Sequence, residues 1–368
     1  MRTVRRLFYA DITASVAFVS LAFLALFFFI DFVDELRDVG ERGYSAAQAG
    51  GYALLRAPAH LYELMPITVL IGTIYTLARL AQTSQYTILR TGGLGPSRAL
   101  WLLTSLALVF GLFTFAVGDY VAPFSERLAS QLRVGAKGFL YLGRSGAWIK
   151  ERSSGPDGEK SYSINVGSAE RGSLLRDVRI FEFDGDGQLL SRTAAPRAEV
   201  GRDGTWTLTD AVRTQWVDAA ASSSARQQTL PRLQWRSSLS PAVVAAAVLP
   251  VTTMSTLELW RYIDHLSDNE QAAQAQKIQF WNRALYPFIC LVMMGLALPF
   301  AYLSARSGGV SMKVFAGIMI GVSFVLINNV FRHLGLLGNW TPWLVAATPG
   351  AFYLVLSLAA FSWLVRYR

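Results

Sequence analysis

Two blocks of three long apolar runs flank one long polar stretch, and this pattern sets the expectations for the whole chain. Residues 12–30, 99–117, 284–305, 314–331 and 343–365 contain no Asp, Glu, Lys or Arg, and residues 64–81 carry only Arg79 near their end. A bilayer presents about 30 Å of hydrocarbon and asks for about 20 apolar residues per helix. The runs therefore predict six membrane helices, three before and three after a polar domain over residues 121–281. The fold class expected is an α-helical membrane protein with six transmembrane helices (3+3) and an inserted, periplasmic β-jellyroll-like domain. Its parts are 1–121 for helices one to three, 122–281 for the polar domain with a helical return segment, and 282–368 for helices four to six.

Inside the polar domain the period changes from helix to strand. Trp206, Leu208, Val212 and Trp216 fall on one face of a period-two stretch, opposite Thr205, Thr207, Thr209, Arg213 and Gln215, with Asp210 as the interruption. Asp184-Gly185-Asp186-Gly187 and Arg202-Asp203-Gly204 are hairpin turn signals. Short strands at this spacing suggest a sandwich or jelly roll. Residues 241–250 are apolar but too short to span. Ser255-Thr256-Leu257-Glu258 and Ser267-Asp268-Asn269-Glu270 fit capping boxes and predict a helical hairpin leading back to the membrane. In the loop after the first span, residues 46–56 suit a short amphipathic helix lying on the outer surface, with Pro66 in the first turns of helix two.

Composition agrees with a membrane protein: 52% of residues are hydrophobic, 16% are charged and the mean hydropathy is +0.33. The net charge of +9 would also suit a nucleic-acid binder, so its placement decides. Arg2, Arg5, Arg6, Arg90, Arg98, Arg306, Lys313, Arg366 and Arg368 all fall on one side of the predicted topology. On the opposite side, Arg37, Arg42 and Arg56 are diluted by Asp31, Asp34, Glu35, Asp38, Glu41 and Glu63. This positive-inside asymmetry places both termini in the cytoplasm and the polar domain outside, and calls for no nucleic acid. The first apolar run ends in Phe27-Phe28-Phe29-Ile30 without a small-x-small cleavage site, so it reads as a retained helix. The single cysteine, Cys290, lies within the fourth span, which leaves the polar domain to be held by its core.

Chemistry-bearing motifs are sparse. His60, His265 and His333 are far apart, there is no metal-ligand spacing, and Gly92-Gly93-Leu94-Gly95 lacks the Lys of a phosphate loop. No catalytic residue, metal or cofactor is expected. Gly317-Ile318-Met319-Ile320-Gly321 is a GxxxG, which suits a close helix contact, either at a moving gate or in ordinary packing. Between the second and third spans, residues 82–93 form a segment whose helical spacing puts Tyr86, Leu89 and Arg90 on one face, next to Gln85. A loop that merely reversed the chain would need no such face, so this is a candidate docking helix for a cytosolic partner.

Several stretches carry a resemblance to a known family: Phe32-Val33-Asp34-Glu35-Leu36, Leu80-Ala81-Gln82-Thr83-Ser84, Gly118-Asp119-Tyr120-Val121-Ala122-Pro123, and Pro287 with Met293-Met294. In order and spacing the chain resembles the LptF/LptG permeases of the bacterial lipopolysaccharide exporter, with these stretches closer to LptG members. The resemblance implies a permease subunit paired with an LptF-like partner and an LptC-like membrane and periplasmic protein. It also implies that an LptB-like ATPase dimer hydrolyses the ATP. Lipopolysaccharide would enter between helices one and five of opposite subunits. It further implies head-group contacts at Arg37 and Arg133, with acyl chains meeting Phe324 and Gly317 and Gly321 near the lateral gate. Three departures stand out: Asp31 and Ala59 replace basic residues of some members, and Gln85 replaces an acid that commonly pairs with the ATPase. The paralogous LptF subunit, a secondary transporter and a membrane-anchored receptor are the rival readings. Clean spans argue against the transporter, which would bury ionisable groups at mid-membrane. The topology is open to direct test: a reporter fused after Arg368 is expected in the cytoplasm, and one inserted between Asp157 and Gly158 in the periplasm. A cytoplasmic signal from the second position would overturn the six-span reading.

Overall fold

The computed structural model describes residues 2–40, 44–93, 95–137, 140–141, 146–155, 158–169, 174–201, 204–219, 222–237, 254–268, 273–302 and 309–367. The expected turn at 202–203, the apolar segment 241–250, the second capping box at 269–270 and insertion position 157 lie outside these residues. The chain divides into two compact units. One holds residues 1–34, 53–125 and 274–368, and the other holds 35–52 and 126–273.

Six helices are long and apolar enough to cross a membrane. The first, α1 (Arg2–Leu36), has 35 residues, about 50 Å at the α-helical rise, so it outruns the hydrocarbon and carries its charged exit segment with it. The second, α2 (Ala46–Gln82), is one continuous helix of 37 residues with Pro58 and Pro66 inside it. The surface helix expected over 46–56 is its first three turns, and Pro66 lies mid-helix. The Ala-rich stretch offers no stop signal, and each proline removes one backbone bond without ending the helix. α2 is also the centre of its unit, with 78% of its apolar window buried, against 17% for α1. Small side chains explain this: Thr68, Thr73 and Thr76 are fully buried, and a Cβ on Gly72 would strike the backbone of Val16 at 2.7 Å.

After α2 comes the short α3 (Gln85–Thr91). The third span then runs through α4 (Pro96–Ala116), a π-helical turn over Val117–Val121 and α5 (Ala122–Lys137). The turn coincides with Gly118, against which the Tyr62 ring packs so closely that no Cβ fits. The last three spans are α7 (Gln274–Tyr302), α8 (Val310–Leu337) and α9 (Pro342–Tyr367), preceded by α6 (Thr256–Asp268). The first capping box forms as its sequence predicts. The Ser255 backbone N–H donates to Glu258 at 2.8 Å and the Glu258 N–H to Ser255 Oγ at 3.3 Å. Arg127 of α5 also pairs with Glu258.

The second unit is built on one antiparallel sheet of seven strands. These are β1 (Leu140–Tyr141), β2 (Ala147–Gly155), β3 (Gly158–Ala169), β4 (Leu174–Phe183), β5 (Leu189–Val200), β6 (Thr205–Ala219) and β7 (Ser222–Arg236). The order is β1-β3-β4-β5-β6-β7, with β2 also paired to β3. Asp184 makes the β4–β5 turn as expected, its Oδ1 accepting from the backbone of Asp186 at 3.1 Å and Gln188 at 2.7 Å. A single line of irregular positions crosses the strands. The register places Gly146, just ahead of β2, in line with Gly167, Asp177, Pro196, Asp210 and Pro231. Asp177 and Asp210 are left-handed with φ of 52°, and Gly146 with φ of 67°. At this line the buried positions are three apart instead of two: Leu175 and Val178, Ala195 and Ala198, Leu208 and Ala211. β4, β5 and β6 therefore keep their apolar residues inward across the kink, and one hydrogen-bonded sheet encloses a core centred on Trp206.

The face expected for β6 holds only up to the kink. Trp206 and Leu208 are fully buried, but beyond Asp210 the inward residue is Ala211, and Trp216 is exposed. The inner face also carries a charge network: Glu182 accepts from Ser191 at 2.6 Å, Arg213 at 3.2 Å and Lys160 at 3.3 Å. Burial pushes the Glu182 carboxyl up, but these donors outweigh it and hold the group below the usual carboxylate range. Because L-residues reach the left-handed region at a cost of about 1–2 kcal/mol, and β-branched ones worst of all, Asp210→Val is expected to lower stability by about that amount. Asp210→Gly is expected to leave stability near the parent. Thermal unfolding of the purified chain checks both, and equal melting of the two variants would remove the conformational role of this position.

Candidate functional site

Three places hold the residues singled out in the sequence. The first is α3. Tyr86 is buried, its ring meeting Tyr302 of α7 edge-on at 5.2 Å and Phe8 of α1 at 6.4 Å. Leu89 packs against the same core, and the Arg90 guanidinium lies over the Tyr302 ring at 5.6 Å. The apolar side of this amphipathic helix therefore faces the chain's own interior. What it presents outward is Gln85, Thr87 and Ile88, with Ile88 67% exposed. Ile88 was missed in the sequence because one apolar residue among polar neighbours gives no periodic signal, although an apolar side chain opposite an apolar face is itself unusual.

The second place is the segment following the first span. Arg133 of α5 pairs with Glu35 at 3.3 Å and Asp38 at 3.7 Å, and its guanidinium lies over the Tyr52 ring at 5.4 Å. Glu35, itself buried, accepts the Tyr44 hydroxyl at 3.1 Å. Burial, reinforced by this carboxylate, pushes the Tyr44 hydroxyl well above the usual tyrosine range, so it stays a donor. Arg133 is thus positioned and partly neutralised by its own chain, while Arg37 sits exposed on the turn that closes α1.

In the helical unit, Asp31 of α1 is buried and accepts from Arg56 at 3.0 Å and His60 at 2.7 Å, both on α2. The Phe27 ring stacks on His60 at 4.7 Å. Arg56 and His60 are four residues apart and so share a helix face, which is the signal the sequence offered for this cluster. The acid at position 31 is therefore matched by a cation and an imidazole.

The third place is α8. Phe324 is buried, packed edge-on against Tyr353 of α9 at 5.4 Å, and the Tyr353 hydroxyl meets Ser323 Oγ at 2.6 Å. Gly317 and Gly321 leave no room for a Cβ against Ile74 and Ile67 of α2, so the GxxxG forms a contact within the chain. The outward residues of α8 are Phe315, Ile318, Met319, Val322, Val325 and Leu326. They are exposed where Phe324 is buried. Ser357 of α9 is also buried, against Gly295. Among the described residues no three His, Cys, Asp or Glu side chains gather to hold a metal ion.

The family described as the lipopolysaccharide export system permease LptF/LptG matches residues 6–364. The chain is similar to the lipopolysaccharide export system permease protein LptG of Escherichia coli strain K12, with 26% identity over 335 residues and 89% of each chain covered. It is also similar to the protein of the same name from Haemophilus influenzae, with 26% identity over 331 residues and 89% of each chain covered. A match that begins at the first span, crosses the kinked sheet and ends in the sixth span encompasses both units, and the chain belongs to the LptF/LptG family of lipopolysaccharide export permeases.

Proposed function

We propose that this chain is the LptG-type permease subunit of the exporter that lifts lipopolysaccharide from the inner membrane towards a periplasmic bridge. Within the structure, the observation that carries this reading is α3: a short helix between two spans, keyed into α1 and α7 by Tyr86 while offering Ile88 and Gln85 outward. A connector needs neither feature, whereas a subunit driven by a separate ATPase needs both. The partners on this reading are an LptF-like permease, an LptB-like ATPase dimer that performs the hydrolysis, and an LptC-like protein. The positive-inside pattern supports cytoplasmic termini and a periplasmic sheet unit in a multi-pass inner-membrane protein.

Force applied at Ile88 reaches Tyr86 two residues away on the opposite side of the same helix, and Tyr86 touches the ends of two different spans. A tilt of α3 would therefore move α1 and α7 together, which is the kind of rigid coupling that converts nucleotide binding into a gate movement. Gln85 can hydrogen-bond a partner but forms no ion pair, so the apolar contact at Ile88 carries more of the docking energy here.

Two outcomes test the reading. Ile88→Asp buries a charge in the proposed contact, where an unpaired charge costs several kcal/mol. It is expected to abolish ATPase co-purification in mild detergent while leaving the chain folded. Leu89→Asp is instead expected to damage the fold, since Leu89 faces inward. Retention of the ATPase by a folded Ile88→Asp chain would place docking elsewhere.

For the head-group contact, Arg133→Glu sets a third carboxylate beside Glu35 and Asp38, whereas Arg133→Lys keeps the charge and loses the planar fork. Lipopolysaccharide crosslinking and transport in reconstituted vesicles are expected to fall strongly in Arg133→Glu, by tenfold or more for about 1.5–3 kcal/mol of charge-assisted bonding. Arg133→Lys is expected to fall less. Equal transport by both variants would leave Arg133 as an internal ion-pair partner only.

A further inference from the structure

The cytoplasmic half of α1 carries an open groove that none of the roles above uses. Its volume is about 820 Å³, with Arg5 and Arg6 at its head and Tyr9, Ala10, Thr13, Ala14 and Ala17 along its length. Both arginines are exposed, and among the described residues neither carries an ion pair. Tyr9 forms a fixed wall, because its hydroxyl is bonded to Ser105 Oγ of α4 at 2.5 Å. The alanines form a floor of methyl groups broken by the Thr13 hydroxyl, so below the arginines the groove is shallow and mostly apolar. From Arg6 to Ala17 is eleven residues, about 16 Å along the helix, close to the hydrocarbon depth of one leaflet at about 15 Å.

A floor of small residues would accept either a neighbouring helix or an acyl chain. The head of the groove separates the two. Two guanidinium groups at the membrane surface call for net negative charge at that depth, which an anionic phospholipid supplies through its phosphate while the ammonium of a zwitterionic lipid offsets it. A second helix would have to bring carboxylates to the same level to avoid stranding both charges.

We propose that this groove is a binding site for an anionic phospholipid of the cytoplasmic leaflet, with its phosphate on Arg5 and Arg6 and one acyl chain along Ala10, Ala14 and Ala17. The site rests on the reading that the N-terminus is cytoplasmic. It is separate from the outer-leaflet entry of lipopolysaccharide, and its occupant fills the inner half of α1 with a lipid that is not cargo.

The test uses the full chain purified with its co-expressed partners, delipidated and titrated with phosphatidylglycerol or phosphatidylethanolamine under native mass spectrometry. The parent complex is expected to retain phosphatidylglycerol in preference to phosphatidylethanolamine. The Arg5→Ala, Arg6→Ala double variant is expected to bind phosphatidylglycerol about tenfold more weakly or worse. Arg5→Lys, Arg6→Lys should recover most of that loss, and Ala14→Leu, which keeps both charges, should block the acyl chain and weaken binding of both lipids. Equal retention of the two lipids by the parent, or unchanged phosphatidylglycerol binding in both the alanine and leucine variants, would overturn the site. Loss of the second permease subunit in Ala14→Leu with lipid binding intact would also overturn it and give the groove to a partner helix. Labelling of Thr3→Cys in intact cells by a membrane-impermeant maleimide would instead show that the topology is wrong, independently of whether lipid binds.

Discussion

The fastening of α1 to α2 is the interaction on which the helical unit depends. Asp11 pairs with Arg79 at 2.7 Å near one end of the two helices, and Asp31 pairs with Arg56 and His60 near the other. Between them Thr76 Oγ1 meets Ser15 Oγ at 2.8 Å, and Gly72 lets the α1 backbone come close at Val16. In a membrane no hydrophobic force draws two apolar helices together, since lipid tails are as apolar as the side chains they would replace. Polar pairs and close backbone packing must supply the specificity. Breaking one partner of a buried pair costs about 3–5 kcal/mol, because the other charge is left stranded. α1, so little buried otherwise, is thus held in place by a few polar contacts spaced along its length.

The sheet unit meets a different constraint, that of closing a core with one sheet. A flat strand would turn alternate residues outward, and a sheet that bends sharply would bring polar residues in. The line from Gly146 to Pro231 removes the conflict by giving every strand its irregularity at the same level. Prolines stand at two points of this line, where the ladder is interrupted and a missing N–H costs least, and aspartates tolerate the left-handed backbone at two others.

Much of this was legible in the sequence and the remainder was hidden for definite physical reasons. The six spans, the β character of the middle and the capping box at Ser255 follow from local periodicity and local hydrogen bonding, which a single segment contains in full. The continuity of α2 was missed because Pro66 suited the first turns of a new helix, although helix interiors in membranes absorb proline. The shift at Asp210 was visible as an interruption, but its direction depends on neighbouring strands. The inward face of α3 could not be read at all, since an apolar stripe looks the same whether it meets a partner or the parent chain. The packing of Phe324 on Tyr353 was hidden similarly: a large apolar residue on a span carries no mark of which neighbour it touches.

These placements change how a stroke would pass through the subunit. Tyr86 touches Phe8, and Phe8 lies three residues before Asp11, whose pair with Arg79 leads directly into α2. α3 therefore touches α1 at a point where α1 is already tied to its neighbour, and on the proposed reading a push on α3 would move the two helices as one body and not as a sliding pair. The far tie at Asp31 then carries that motion to the end of the span. An acid at position 31 suits this arrangement better than a basic residue would, because a cation there would face Arg56 and His60 and push the two helices apart at the point where they must stay together. In this chain the charge at position 31 is taken up by the link between the two helices.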